Sequence, residues 1–193
     1  MDRKKDRDEQ AYLEYLEDIE IARKEIQGIK LYPTESIVCD LYAIPSHNHQ
    51  AYYAIIYEHA GKYEMVYAKS QIYTPGDSEP IKMYRFADCK EADKRTGTEG
   101  RILIGIAHLP KVFMDMLVEI LDRIPSWHIQ GAGGIWLDGV TQAIRVYHGD
   151  DVVKEVVYKE AEQIPLSGGG KDLIEQLDNL YLRVEEIIDC VDT

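Results

Sequence analysis

The chain predicts an α+β fold: one or two antiparallel β-meander sheets, each packed on one face by amphipathic helices. Three observations carry that expectation. Two blocks, 36–73 and 135–159, are rich in Tyr, Ile and Val and alternate in polarity as half-buried strands do. Each block lies upstream of a segment with apolar residues at helical spacing, 110–124 and 171–190. Turn-forming strings such as Asp138-Gly139 and Gly149-Asp150-Asp151 separate the strand candidates.

The first element is a helix over 8–27, where Tyr12, Leu16, Ile19 and Ile26, with Leu13 and Ala22, form an apolar stripe and Gly28 supplies the stop. Strands follow over 37–44, closed by Pro45, then over 51–58 and 62–73 across the turn His59-Ala60-Gly61. Thr74-Pro75-Gly76-Asp77 is a turn by composition, 81–86 a short strand, and 87–100 a polar loop. The run Ile102, Leu103, Ile104, Ile106 within 101–107 reads as a central strand buried on both faces.

Pro110 opens a helix, because its missing N–H costs nothing in the first turn. Val112, Phe113, Met116, Leu117, Ile120 and Leu121 are its expected buried stripe. Ile135-Trp136-Leu137 and Val140 to His148 then read as a hairpin about Asp138-Gly139. A three-residue loop at 149–151 sets Arg145 opposite Glu155 and Ile144 opposite Val156, favourable pairs both. It places Ile144, Val146, Val152, Val156 and Tyr158 on the core face. The last helix, 171–190, carries Leu173, Leu177, Leu180, Val184, Ile187 and Val191 with Ile174, Tyr181 and Ile188 beside them, a stripe suited to packing on a sheet. The strand pair at 54–57 and 64–67 resembles that at 143–147 and 155–158. The expected organisation is therefore an N-terminal helix (1–30) and two similar sheet-plus-helix units (31–125 and 126–193), or one continuous domain.

Composition limits function more than motifs do. Fourteen tyrosines stand against two phenylalanines on a chain of formal net charge −13. From Asp150 onward there are twelve Asp/Glu and four Lys/Arg. Such a field disfavours nucleic acid, whose phosphates need a basic stripe. No apolar run is long enough to span a bilayer, so no membrane partner is expected. Cys39, Cys89 and Cys190 are odd in number and widely spaced, which points to a reducing cytoplasm. Cys39 alternates with Ile37 and Leu41 and reads as a small buried side chain.

No catalytic signature survives inspection, and no cofactor is expected. The glycine string at 131–134 follows a helix instead of a strand, and Trp136 stands where the third glycine of a dinucleotide turn belongs. Pro165 and Asp172 spoil a phosphate loop about Gly170-Lys171. The reading favoured is an acidic, Tyr-rich interaction protein of the inhibitor or immunity type, binding a basic protein partner through Trp136, Arg145, Tyr147, Asp150, Asp151 and Glu155. Two alternatives stand beside it. One is a structural subunit that self-associates through a sheet edge or its last helix. The other is a small metal-dependent hydrolase using His47 and His49, whose imidazoles project to one side of an extended segment.

Overall fold

The structure, a computed structural model, describes residues 2–28, 37–45, 51–73, 86, 99–124, 129–130, 140–159 and 169–191. The elements in chain order are α1 (Asp2–Gly28), β1 (Ile37–Pro45), β2 (Tyr52–His59), β3 (Lys62–Tyr73), β4 (Glu99–His108), α2 (Lys111–Arg123), β5 (Ile129–Gln130), β6 (Val140–His148), β7 (Asp151–Lys159) and α3 (Gly169–Val191). All the described strands join one sheet in the order β4-β3-β2-β1-β6-β7-β5. Every neighbouring pair is antiparallel except β5, whose two residues run parallel to β7. The α+β class with an antiparallel sheet is thus what the chain adopts. β1 sits between β2 and β6, so the first meander and the last hairpin share one hydrogen-bonded surface.

The pleat sorts the side chains into two layers. Cys39, Leu41, Ala43, Tyr52, Ala54, Ile56, Met65, Tyr67, Ile144 and Val156 face one way. They are covered by Phe113, Leu117 and Ile120 of α2 and by Leu177, Leu180, Tyr181, Val184 and Ile188 of α3. Tyr42, Tyr53, Ile55, Tyr57, Val66, Ala68, Ala143 and Val157 face the other way, beneath Ile19, Ala22 and Ile26 of α1, with Phe86 fully buried among them. Helices therefore lie on both faces, and the alternation along β2 marks two kinds of buried layer instead of one wet face. Its first six residues, Tyr52 to Tyr57, are all buried.

Several expectations shift at the level of single residues. α1 begins earlier than expected and leaves Leu13 exposed, while Asp18 takes a buried place on its sheet-facing side. In α2, Pro110 is the N-cap and Val112 is 79% exposed. The buried stripe runs through Phe113, Met114, Leu117, Ile120 and Leu121, one residue out of phase at its start. In α3 the stripe holds from Leu177 to Ile188, but Val191, the last helical residue, is exposed. Among the described residues β4 is a terminal strand, not a central one. It pairs with β3 alone among the described residues, and Ile104 and Ile106 remain exposed. Residues 135–137, expected to form a hairpin with β6, lie outside the described residues. Along Thr141–Val146, β6 is hydrogen-bonded to β1 on one side and β7 on the other.

At the β6–β7 connection the expected pairs, Arg145 with Glu155 and Ile144 with Val156, are present. The route to them differs. A two-residue turn, Gly149-Asp150, sets His148 opposite Asp151 and Tyr147 opposite Val152, with Gly149 at φ +62°. A bulge between Val146 and Tyr147 then absorbs Val153 as an extra residue and restores the register. Val152 consequently points to solvent instead of the core, and Val153 with it, at 46% and 42% exposure.

Gly105 is required by a close approach. It stands opposite Tyr67, and a Cβ added there would overlap the Tyr67 ring, with Cε1 only 2.7 Å away. The ring is fully buried and cannot swing aside. Replacing Gly105 with Ala should therefore cost about 1–3 kcal/mol through overpacking, and trimming the ring in Tyr67→Leu/Gly105→Ala should recover part of it. Urea midpoints of the two variants and the parent check this; an unchanged Gly105→Ala midpoint would contradict it.

Candidate functional site

Asp40 is a charged residue in the middle of a strand whose neighbours, Cys39 and Leu41, are wholly buried. The pleat turns it to the α1 side of the sheet, alongside Tyr42. The registers line up Ile55, Asp40, Arg145 and Glu155 in one row across β2, β1, β6 and β7. An acid, a base and an acid therefore stand side by side on adjacent strands, the order in which cross-strand charges attract.

Asp40 is 2% exposed and accepts five hydrogen bonds. Arg145 donates from Nε to Oδ1 at 2.9 Å and from Nη2 to Oδ2 at 2.6 Å, the two-pronged geometry that a guanidinium offers a carboxylate. Arg23, reaching down from α1, donates from Nη2 to Oδ2 at 3.0 Å. The phenols of Tyr53 and Tyr147 donate to the same oxygen at 2.9 and 2.6 Å. Arg23 also donates to the Tyr147 hydroxyl, and both guanidinium carbons lie over the Tyr147 ring, at 5.7 and 6.0 Å from its centroid. A second link from α1 is the Tyr42 hydroxyl, which donates to buried Asp18 at 3.0 Å.

This chemistry is structural in kind. Asp40 is held by five donors within the fold, four on Oδ2 and one on Oδ1, and at 2% exposure it is enclosed by them. Burial pulls the Arg145 pKa down, but Asp40 more than offsets it, and the guanidinium stays charged. Burial, and then the Asp40 charge, push the phenols of Tyr53 and Tyr147 above the usual tyrosine range. The same two causes push up the Cys39 thiol, which is fully buried and lacks nucleophilic character, in keeping with its reading as a small core residue. Among the described residues no group of three or more His, Cys, Asp or Glu could hold a metal ion.

The residues expected to bind a partner divide sharply. Arg145 is buried and Tyr147 half-buried, both with polar atoms engaged by Asp40. Glu155 is half-buried opposite Arg145. Asp150 and Asp151 are exposed at the tip of the β6–β7 hairpin. Trp136, His47 and His49 lie outside the described residues. Six of the described tyrosines turn inward: Tyr42, Tyr52, Tyr53, Tyr57, Tyr67 and Tyr181 are buried, each phenol supplying bulk to a core that phenylalanine would fill elsewhere. Several spend their hydroxyls inside, Tyr57 on Glu64 at 2.6 Å and Tyr52 on the Tyr181 carbonyl at 3.3 Å. A phenol-rich docking surface is therefore not built from these six. Asp18, Arg23, Asp40 and Tyr53 were missed as a cluster. The signal was present, since Asp40 and Arg145 each interrupt an apolar strand.

Comparison with known proteins adds no name to this arrangement: no protein-family model, no curated protein and no solved structure matches the chain.

Arg145→Met should destabilise the fold by about 3–5 kcal/mol, because it leaves a buried carboxylate short of its principal counter-charge. Asp40→Leu/Arg145→Met should be milder than that single change, and a double variant no more stable than Arg145→Met would count against the pairing. An alkaline limit follows from the phenols. Their folded pKa values lie above the unfolded value near 10, so their contribution is complete below about pH 10 and is lost as pH rises toward the folded values. Each such group should remove about 1.4 kcal/mol of stability per pH unit above that point. Urea midpoints from pH 7 to 11 should stay level and then fall, less steeply in Tyr147→Phe; a midpoint flat to pH 11 would refute it.

Proposed function

We propose that the protein is a non-catalytic binding module that docks a basic protein partner, in the manner of an inhibitor or immunity protein, at the tip of the β6–β7 hairpin. The observation that carries this reading is the continuous exposure of residues 148–153. That stretch joins two carboxylates, Asp150 and Asp151, to two valines turned outward by the bulge. Carboxylates on a chain of net charge −13 would accelerate encounter with a cationic surface. The valines offer a small apolar patch to be dried on contact, the combination of core and rim that protein interfaces use.

In this reading Arg145, Tyr147 and Glu155 are the foundation of the hairpin, not its contact surface. The Asp40 network fixes β6 against β1 and α1, which holds the tip in one orientation and lowers the ordering cost of binding. No described helix is long and apolar enough to cross a membrane. The free, buried Cys39 accords with a reducing cytoplasm as the place of action. The alternative of a metal-dependent hydrolase rests on His47 and His49, and zinc content of the purified chain tests it directly.

The partner is to be recovered by affinity capture at low and moderate salt. Asp150→Asn/Asp151→Asn should slow its association by about three- to tenfold, with dissociation little changed, because exposed charges act mainly on the on-rate. Val152→Ser/Val153→Ser should instead speed dissociation. Association rates that ignore both salt and the two carboxylates would end the proposal.

A further inference from the structure

The two ends of the sheet are built differently. At the β7 end the outer strand is bulged at Val153, carries Asp151, Lys154 and Glu155 in succession with valines, and is capped over Val156 and Val157 by the short parallel β5. Bulges, charges and a covering segment are the means by which sheet edges avoid pairing with other chains. At the β4 end the described residues show neither a bulge nor a covering segment, and the charges of the strand, Glu99 and Arg101, stand within its first three residues. β4 pairs with β3 through ten consecutive residues, from Glu64 with His108 to Tyr73 with Glu99, without a register shift. Between Ile102 and Ala107 it holds no charged residue and no proline. No described residue pairs with its outer edge, and Ile104 and Ile106 stand 36% and 42% exposed on the α1 side.

We propose that β4 is a dimerisation edge, pairing antiparallel with β4 of a second copy of this chain to extend the sheet across a two-fold axis. Charge selects this occupant. A chain of net charge −13 repels its copy wherever acidic surfaces meet, and 102–107 is an uncharged strip. Register selects it as well. A two-fold axis perpendicular to the sheet keeps each face on its own side, so residues of equal parity must oppose one another. With the axis at Ile104, Ile104 meets its own copy and Ile102 meets Ile106, which joins the isoleucines of both copies in one apolar band. On the other face Leu103 meets Gly105, which the Tyr67 ring of the neighbouring strand covers. The N–H and C=O groups of the outer edge, which no described residue pairs, are satisfied by the same step.

This inference is independent of the hairpin tip, which lies at the far end of the strand order. Sedimentation or light scattering at concentrations up to about 100 μM should give twice the chain mass of 22.2 kDa, with self-association strengthened by added salt as repulsion is screened. Ile104→Lys/Ile106→Lys should weaken the dimer at least about tenfold while leaving the thermal midpoint of dilute, monomeric protein unchanged. Hydrogen exchange on the unaltered protein gives a reading that does not depend on any variant folding: alternate amides of 100–108 should gain protection as concentration rises. A monomer at every concentration, a dimer indifferent to both lysines, or exchange at β4 independent of concentration would each overturn the proposal.

Discussion

One carboxylate organises the sheet's α1 side. Asp40 could not remain ionised in an apolar layer by itself, since a buried charge without partners costs several kcal/mol. The fold meets that requirement with a two-pronged Arg145 on β6, a third donor group from Arg23 on α1, and two phenols from β2 and β6. Four elements distant in sequence are thereby committed to a single arrangement. An apolar layer is held by shape alone, whereas this cluster is also directional and is satisfied only when β1, β2, β6 and α1 are all in place. The counterpart on the opposite face is less directional: apolar side chains of α2 and α3, with the Tyr181 hydroxyl reaching across to the Ala143 carbonyl.

Much of this was legible before any coordinates. Periodicity locates the three helices and most of the strands among the described residues, because apolar spacing at 3.6 or 2 residues is imposed by burial itself. The pairing of Arg145 with Glu155 was also readable, since charge complementarity selects one register over its neighbour. What escaped has identifiable causes. An apolar run such as Ile102 to Ile106 looks the same whether it lies in the middle of a sheet or at its edge, because sequence records hydrophobicity and not the number of neighbours. Tyrosine is ambiguous in the same way: it serves at surfaces and in cores, and only the partners of Tyr42, Tyr53 and Tyr57 show that the core won. The Asp40 cluster drew on residues 23, 40, 53, 145 and 147. No local pattern can announce contacts at such separations, although a lone charge of opposite sign in each of two apolar strands is a sign that they answer one another.

The acidic balance takes on a particular meaning against this architecture. Charged residues do enter the interior, but in complementary sets, as Asp40 with two arginines shows. The remaining excess is carried by exposed positions, including Glu175, Glu186 and Asp189 on α3 and the pair at the β6–β7 tip. Lys69 answers Asp189 at 2.7 Å and ties β3 to the end of α3. Surface acids of this kind contribute little to stability one at a time. Their collective effect falls on what the molecule meets and how fast.

The bulge at Val153 gives the hairpin a tolerance that a strictly paired ladder would lack. By housing one spare residue between Tyr147 and Val146, it uncouples the phase of the tip from the phase of the strands below. Lengthening or shortening the connection by a residue could be taken up there, with the guanidinium still meeting its carboxylate two rungs down. Descendants of this chain would then be free to vary the end of the hairpin, and with it whatever it touches, while the frame beneath is inherited intact.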